Sequence, residues 1–149
     1  MSKLIFALLS VIFMACNSGP REINFGQDKC DYCTMSVVDK PYATEVVTDK
    51  GKVYTFDSVE CMINYLDENQ DKAFSDILTC TMDNPGVLQD AKTSYFLVSE
   101  NMPSPMGANI TPYATRVLAE ASQQENEGEV FDFEGLKEFQ SMRKTPHGH

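Results

Sequence analysis

The sequence is poor in histidine and in basic residues, and both shortages exclude classes of function. Among 149 residues there are 2 histidines, His147 and His149, at a C-terminal end that is expected to fray and to bind Cu(II) weakly at most. A structural zinc site needs a second cysteine pair or a histidine pair at set spacing, and neither is present. A net charge of −10, from 12 basic and 22 acidic residues, argues against nucleic acid as a partner, because phosphate neutralisation needs clustered cations.

Long apolar runs are missing after the first residues, so the chain has one segment that could direct it to a membrane. After a positively charged start, residues 4–15 are apolar but too few to span a bilayer as a mature helix. They end in "FMAC", and a small residue directly before cysteine is typical of a bacterial lipobox, with Phe13 replacing the usual leucine. We predict a signal peptide over 1–15, acylation of Cys16 and a lipid-anchored tether over 16–26. An ordinary signal peptide with an incidental cysteine is the alternative.

Four more cysteines follow, and export would place them in an oxidising compartment where disulfides are allowed. They are Cys30, Cys33, Cys61 and Cys80. Four cysteines permit three pairings, and the sequence does not choose among them. Cys61 falls in a predicted helix, where we expect a buried small hydrophobe or a disulfide partner for Cys80.

Short strand patterns and an amphipathic helix indicate an α+β fold. Alternation from Pro41, a glycine turn and "VYTF" predict a β-hairpin. The segment "DSVECMINYLDEN" predicts a helix with one apolar face, capped by Asp57 or Ser58. Asp57 is favoured as the cap, and its functional alternative is support of a nearby metal-binding loop. Further strands are expected at 76–82 and 94–99.

Two blocks of sequence recur in the same order and indicate a duplication. "PYAT" occurs twice, with Met35 and Met106 at the same distance before the two copies. "GKVYTFDSVECMINY" then matches "GEVFDFEGLKEFQSM". We predict two pseudo-repeated β-β-α units, over about 30–100 and 101–143, that share one core, because a single hairpin with a helix buries little apolar surface. Chance recurrence of short strand words is the alternative.

The loops that lead into the two predicted units are rich in sulfur. "CDYCTM" carries Cys30, Cys33 and Met35, and "MPSPMG" carries Met102 and Met106. Packing about a pseudo-two-fold axis would bring the equivalent loops together, so that Met35 and Met106 face each other with Cys33 beside them. Thiolates and thioethers are soft donors that select Cu(I) over Mg, Ca or Mn. A site of two or three such ligands leaves a position open for ligand exchange, so the pattern predicts a Cu(I) carrier rather than an enzyme.

Together these motifs resemble those of the NosL family, the copper-binding lipoproteins linked to nitrous oxide reductase assembly. "CDYCTM" resembles the family's Cys-x-x-Cys-x-Met loop, "YTFDSVECMINYL" its Phe-Asp segment before a helix, and "MPSPMGANITPYAT" its Pro-Met-Gly loop. The family usually has glycine where this chain has Thr34, which predicts a stiffer loop. The resemblance implies a domain of two similar α+β units over 27–143, followed by a flexible tail over 144–149.

The resemblance further implies a Cu(I) chaperone, lipid-anchored on the periplasmic side of a bacterial membrane, which we expect to be the outer membrane. Its expected partners are the proteins that mature nitrous oxide reductase. The positions carried over as copper ligands are Cys33, Met35 and Met106, with Cys30 and Met102 as second choices.

Two other functions stay open at this point. A periplasmic thiol-disulfide oxidoreductase would use Cys30 and Cys33, but such motifs usually sit at a helix N-terminus, and here β-branched residues and a proline follow. A structural lipoprotein stapled by two disulfides would have no free thiols. The oligomeric state is also open, since two protomers could share a site through the sulfur-rich loops.

Overall fold

The structure, a computed structural model, describes residues 19–144, which form two antiparallel sheets and three α-helices. This mixed architecture agrees with the predicted α+β class. The predicted signal peptide, Cys16 and the C-terminal histidines lie outside the described residues. No helix within 19–144 is long and apolar enough to cross a membrane. In chain order the elements are β1 (Thr44–Thr48), β2 (Val53–Phe56), α1 (Val59–Glu68), β3 (Phe74–Thr79), β4 (Gln89–Asp90), a 3-10 turn (Ala91–Thr93), β5 (Tyr95–Val98), β6 (Ile110–Tyr113), α2 (Arg116–Asn126), β7 (Glu129–Asp132) and α3 (Phe133–Lys144).

The first sheet has the strand order β2-β1-β3-β4. β1 and β2 form the predicted hairpin, and Gly51 in its turn has a φ of 80°, a conformation that glycine adopts without strain. The alternating pattern of β1 is typical of a half-buried strand, yet all five of its residues are buried. The reason is that α1 contacts this strand while the N-terminal segment covers Glu45, whose Oε1 accepts a hydrogen bond from the Arg21 amide at 3.0 Å.

The last residues of the predicted tether over 16–26 belong to the folded domain. Ile23 is buried in the core and Phe25 packs against it. The Gly26 amide donates to the Val37 carbonyl at 2.8 Å. The last part of the predicted tether is therefore docked on the first sheet, because it carries apolar side chains that the sheet can bury.

The second sheet has the strand order β6-β5-β7, with β5 at its centre. The predicted boundary between the units, near residue 100, assigned β5 to the first unit. In the structure the chain passes from β4 of the first sheet through the 3-10 turn at Ala91–Thr93 into β5 of the second. Sheet membership depends on pairing with the later strands β6 and β7, which local sequence does not reveal.

The predicted β-β-α form of the second unit is wrong at its first strand, because the residues after the second "PYAT" form helix α2. The Thr115 side chain caps this helix by accepting a hydrogen bond from the Leu118 amide at 3.3 Å. The helix is rich in Ala, Leu, Glu and Gln, which favour helix, whereas Val46, Val47 and Thr48 after the first copy favour strand. The later matched blocks do fold alike, as β2 followed by α1 and β7 followed by α3.

A single large apolar cluster joins the two sheets. Met62, which the helical pattern places in the core, is fully buried. The cluster includes side chains from both halves of the chain, among them Phe56, Met62, Ile63, Phe96, Ile110, Phe133 and Leu136. A smaller cluster lies on the other face of the second sheet, around Leu97, Tyr113 and Ala119, because neighbouring residues of β5 point to opposite faces. The shared core fixes α1 against the second half of the chain.

Glu45 is an ionisable group at the centre of the first sheet. Burial raises the pKa of its carboxyl to about 7 from an ordinary value of 4.5. Its Oε2 is buried without a hydrogen-bond partner among the described residues. The folded state therefore holds the proton more tightly than the unfolded chain does. This contribution to stability is fully present below the unfolded pKa and is lost as the pH rises through the folded pKa.

We expect the free energy of unfolding of the wild-type protein to fall more steeply between about pH 5 and about pH 7 than that of Glu45→Gln. Glutamine keeps an oxygen that accepts the Arg21 amide hydrogen bond but does not titrate. Urea unfolding at a series of pH values measures both slopes, with Glu100→Gln, at an exposed carboxyl, as the control. Parallel pH profiles for wild type and Glu45→Gln would contradict this expectation.

Candidate metal centre

The "CDYCTM" segment folds as a narrow loop closed by backbone hydrogen bonds. Lys29 and Ser36 form an antiparallel bridge across its base. Inside it, the Cys30 amide donates to the Met35 carbonyl at 2.8 Å, and the Thr34 amide donates to the Cys30 carbonyl at 2.9 Å. These bonds turn the chain back on itself, so that the two cysteines lie on one side of the loop.

Asp31 fastens this loop to the edge of the first sheet. Its amide donates to the Thr55 carbonyl at 2.8 Å, and its Oδ2 accepts a hydrogen bond from the Thr55 amide at 2.7 Å. Thr55 lies in β2, which leads directly into Asp57 and then α1. The loop cysteines are therefore held next to the start of α1.

Ser58, and not Asp57, caps α1. The Ser58 Oγ accepts a hydrogen bond from the Cys61 amide at 3.3 Å, and Ser58 has the extended backbone of an N-cap residue. The favoured prediction that Asp57 is the cap is therefore wrong. With the cap supplied by Ser58, the Asp57 side chain faces the loop, where its Oδ2 accepts a hydrogen bond from the Cys33 thiol at 3.4 Å.

Cys30, Cys33, Asp57 and Cys61 form one cluster, in which the three sulfur atoms and a carboxylate oxygen all lie within 4.8 Å of one another. Cys30, Asp57 and Cys61 are buried, and Cys33 is half-buried. The four cysteines within residues 19–144 are free thiols, and Cys80 is not a member of the cluster. Cys61 is thus a member of a group that can hold a metal ion, and not the disulfide partner that the sequence allowed.

The three thiols differ in acidity because of their surroundings. A hydrogen bond from Cys61 lowers the pKa of Cys30, against the effect of burial, and the Cys33 amide also donates to the Cys30 sulfur at 3.4 Å. The same interaction with Cys30 raises the pKa of Cys61, and burial raises it further. Burial raises the pKa of Cys33 to about 11. A cation that binds all three sulfurs must therefore release the protons of those that are still thiols.

Met106 and Met35, one from each sulfur-rich loop, lie at the outer side of this cluster. Met106 lines a cleft of about 330 Å³ together with Cys33 and Cys61. Met35 lines an adjoining hollow of about 140 Å³ together with Asp57 and Pro105. The Met106 side chain is 39% exposed and that of Met35 is 56% exposed. The two loops therefore converge on the cluster from outside.

Met102 has different surroundings from the other predicted ligands. Its sulfur accepts hydrogen bonds from the Ser122 hydroxyl at 3.4 Å and from the Tyr113 hydroxyl at 3.8 Å. The side chain packs against the small cluster on the outer face of the second sheet. The "MPSPMG" loop thus sends one methionine toward that sheet and the other, Met106, to the cleft.

Cys61 was missed as a site residue because its position on a helical apolar face favours the core. The signal that identifies it is the spacing Ser-x-x-Cys at the start of α1. A serine N-cap accepts a hydrogen bond from the amide three residues later, which places Cys61 in the first helical turn and beside the residue before the cap, Asp57.

Comparison with known proteins identifies the family. A model of the NosL family matches residues 22–140, and the chain belongs to this family. The crystal structure of the copper chaperone NosL from Shewanella denitrificans is similar, with a TM-score of 0.67 and 19% sequence identity, over 77% of this chain and 93% of that chain. At this identity the likeness concerns the fold. No curated protein matches the chain in sequence.

Thr34, next to the cysteines, has a φ of 69°, a left-handed conformation that is costly for a β-branched residue. This is the position at which the resemblance to the NosL loop leads us to expect glycine. We expect Thr34→Gly to raise the free energy of unfolding by about 0.5–1 kcal/mol, because relief of backbone strain exceeds the entropy that glycine loses on folding.

Thr34→Ala is the matched control, since it shortens the side chain but keeps the Cβ atom that causes the strain, and its gain should be smaller. Urea unfolding measures both variants. A loss of stability in Thr34→Gly would show that contacts of the threonine side chain outweigh the backbone strain.

Proposed function

We propose that this chain is a Cu(I) chaperone that holds the ion with the thiolates of Cys30, Cys33 and Cys61 and with one thioether at the mouth of the cleft. The convergence of three sulfur atoms within 4.8 Å carries the proposal. Thiolate and thioether ligands suit Cu(I), and they compete poorly for Mg²⁺ or Ca²⁺, which prefer oxygen. Met106 is the proposed thioether ligand, because it lines the same cleft as Cys33 and Cys61, and Met35, which lines a hollow with Asp57, is its alternative.

The unequal burial of the sulfur atoms suits a carrier better than a structural site. A structural metal site is closed on all sides, whereas a site that transfers its ion keeps a position open to an incoming ligand. Here Cys30 and Cys61 are buried, while Cys33, Met106 and Met35 border open space. A partner's ligand can therefore reach the ion from the cleft while the inner thiolates still hold it.

Asp57 supports the site from within. Its Oδ2 accepts the Cys33 hydrogen bond, and its Oδ1 is buried without a partner among the described residues. A carboxylate in this position orients the Cys33 sulfur before the ion arrives. It is a hard oxygen donor, so we assign it to orientation and not to the soft ligand set.

The proposed route of copper leads to nitrous oxide reductase. Membership of the NosL family supports it, as does the likeness in fold to a copper chaperone from Shewanella denitrificans. We propose that acylation of Cys16 anchors the protein on the periplasmic side of the outer membrane, from where it delivers Cu(I) to the proteins that mature the reductase. The lipobox pattern in the sequence supports the anchor.

A thiol-disulfide oxidoreductase is less compatible with the same residues. Such an enzyme attacks with a thiol that is both accessible and acidic. In this cluster the two properties are separated: Cys30 has the lowered pKa but is 1% exposed, and Cys33 is accessible but has a pKa of about 11. A lipoprotein stapled by two disulfides is likewise disfavoured, because all four cysteines of the described range are free.

We expect Cys33→Ala combined with Cys61→Ala to weaken Cu(I) binding by more than about 100-fold, which exceeds the effect of losing a supporting residue. Anaerobic titration with a competing Cu(I) chelator measures the affinity, and X-ray absorption counts the sulfur neighbours. Cys80→Ala is the matched control, since it removes a buried cysteine outside the cluster. Wild-type affinity in the folded double variant would remove the proposed site.

A further inference from the structure

The turn that carries Met106 is fastened to helix α1 by one buried carboxylate, that of Glu60. The Ser104 hydroxyl donates a hydrogen bond to Glu60 Oε1 at 2.8 Å, and the Ala108 amide donates to the same oxygen at 3.2 Å. The Asn109 amide in turn donates to the Ser104 hydroxyl at 2.9 Å. The two groups that donate to Glu60 lie two residues before and two residues after Met106, so the carboxylate is hydrogen-bonded to both ends of the turn.

Contacts with other elements lie at the two ends of the turn, where the Tyr42 hydroxyl donates to the Pro103 carbonyl at 3.5 Å and Arg143 Nη1 donates to the Ala108 carbonyl at 3.2 Å. The Gly107 amide donates to the Ser104 carbonyl at 3.0 Å, which closes the turn, and the Met106 side chain at its tip is exposed. An exposed methionine contributes little apolar burial that could hold the segment in place. The hydrogen bonds to Glu60 join this turn to helix α1, so they set the position of the Met106 sulfur relative to Cys61.

Glu60 joins this turn to the thiol cluster by its place in the helix. It directly precedes Cys61 in the first turn of α1, and both residues line the same cleft as Met106. Any change in the position of this helical turn moves the cysteine and the methionine loop together. The proposed thioether and one proposed thiolate thus share a rigid support.

Burying this carboxylate is costly, which argues for a role beyond packing. Glu60 is 5% exposed, and its Oε2 is buried without a hydrogen-bond partner among the described residues. A buried oxygen that lacks a partner lowers stability. A residue that served only to fill space would be better apolar at this position.

We propose that Glu60 is the positioning residue of the Met106 thioether. Its carboxylate holds the sulfur over the cleft, and so determines how tightly Cu(I) is bound and how readily the thioether gives way to an incoming ligand. This inference rests on the proposed Cu(I) site and extends it to a residue that does not itself touch the ion.

The test is a double-mutant cycle on the full-length protein, with Glu60→Ala, Met106→Ala and the two combined. Anaerobic competition titration gives the Cu(I) affinity of each variant. We expect Glu60→Ala to weaken binding by about 10- to 100-fold, the usual effect of removing a group that orients a ligand. Because Glu60 acts through Met106, its removal should weaken binding no further in the Met106→Ala background. X-ray absorption of copper-loaded Glu60→Ala should count one sulfur neighbour fewer than that of the wild-type protein.

Two further variants separate positioning from general stability. Glu60→Gln keeps an oxygen acceptor for Ser104 and Ala108, and should restore most of the affinity that Glu60→Ala loses. Asp83→Ala is the matched control, because Asp83 also ties a loop by accepting a backbone hydrogen bond, from Ala114 at 2.9 Å, but does not line the cleft. It should leave the affinity unchanged. If Glu60→Ala fails to fold by circular dichroism, Ser104→Ala removes one of the two links from the loop side and replaces it in the cycle, with a smaller expected loss of affinity because the Ala108 amide still donates to Glu60.

The outcomes distinguish this inference from the function on which it rests. Equal weakening by Glu60→Ala with and without Met106 would overturn the positioning role and leave the Cu(I) site intact. Unchanged affinity in Met106→Ala would remove Met106 from the ligand set and the positioning role with it. Loss of binding in Cys33→Ala combined with Cys61→Ala would still support the thiolate site in either case.

Discussion

The start of helix α1 is the constraint on which the site depends. Because Ser58 supplies the cap, Asp57 stays outside the helix and faces Cys33, while Cys61 enters the first turn beside the two loop cysteines. Glu60, between Asp57 and Cys61 in the sequence, accepts a hydrogen bond from Ser104 of the other sulfur-rich loop. Moving the cap by one residue would rotate these side chains by about 100° around the helix axis and disperse the group. The hydrogen bond between the Ser58 hydroxyl and the Cys61 amide thus fixes the geometry of the sulfur cluster, although neither group is itself a metal ligand.

Local sequence predicts the local elements of this fold well and its long-range pairing poorly. The β1–β2 hairpin and α1 follow from turn chemistry, alternation and an apolar helical face, all of which act over a few residues. Helix α2 was missed because the repeated "PYAT" outweighed the helix-forming residues after Thr115. The place of β5 in the second sheet depends on β6 and β7, and no short pattern in "SYFLVS" distinguishes the two sheets.

The candidate site shows the same division. The sequence identifies Cys30 and Cys33 by their spacing, and the likeness of the two loops predicts that Met106 approaches them, which agrees with the cleft that it shares with Cys33. It does not identify Cys61 or Glu60, since both belong to a helix whose apolar face favours a purely structural interpretation. The roles proposed for them become visible only when the helix is placed against the loops by the core that both halves of the chain build.

The sulfur atoms of the cluster are graded by depth, and this has a chemical consequence in an oxidising compartment. Oxidants attack accessible thiolates first. Cys30, whose pKa is lowered by its hydrogen bond with Cys61, is 1% exposed, whereas Met35 and Met106 are exposed, and the oxidation of methionine is reversible. An arriving peroxide would thus meet the expendable thioethers before it met the Cys30 sulfur. The difference in exposure on which the proposed transfer of the ion depends would therefore also shield the deepest sulfur when no ion is bound.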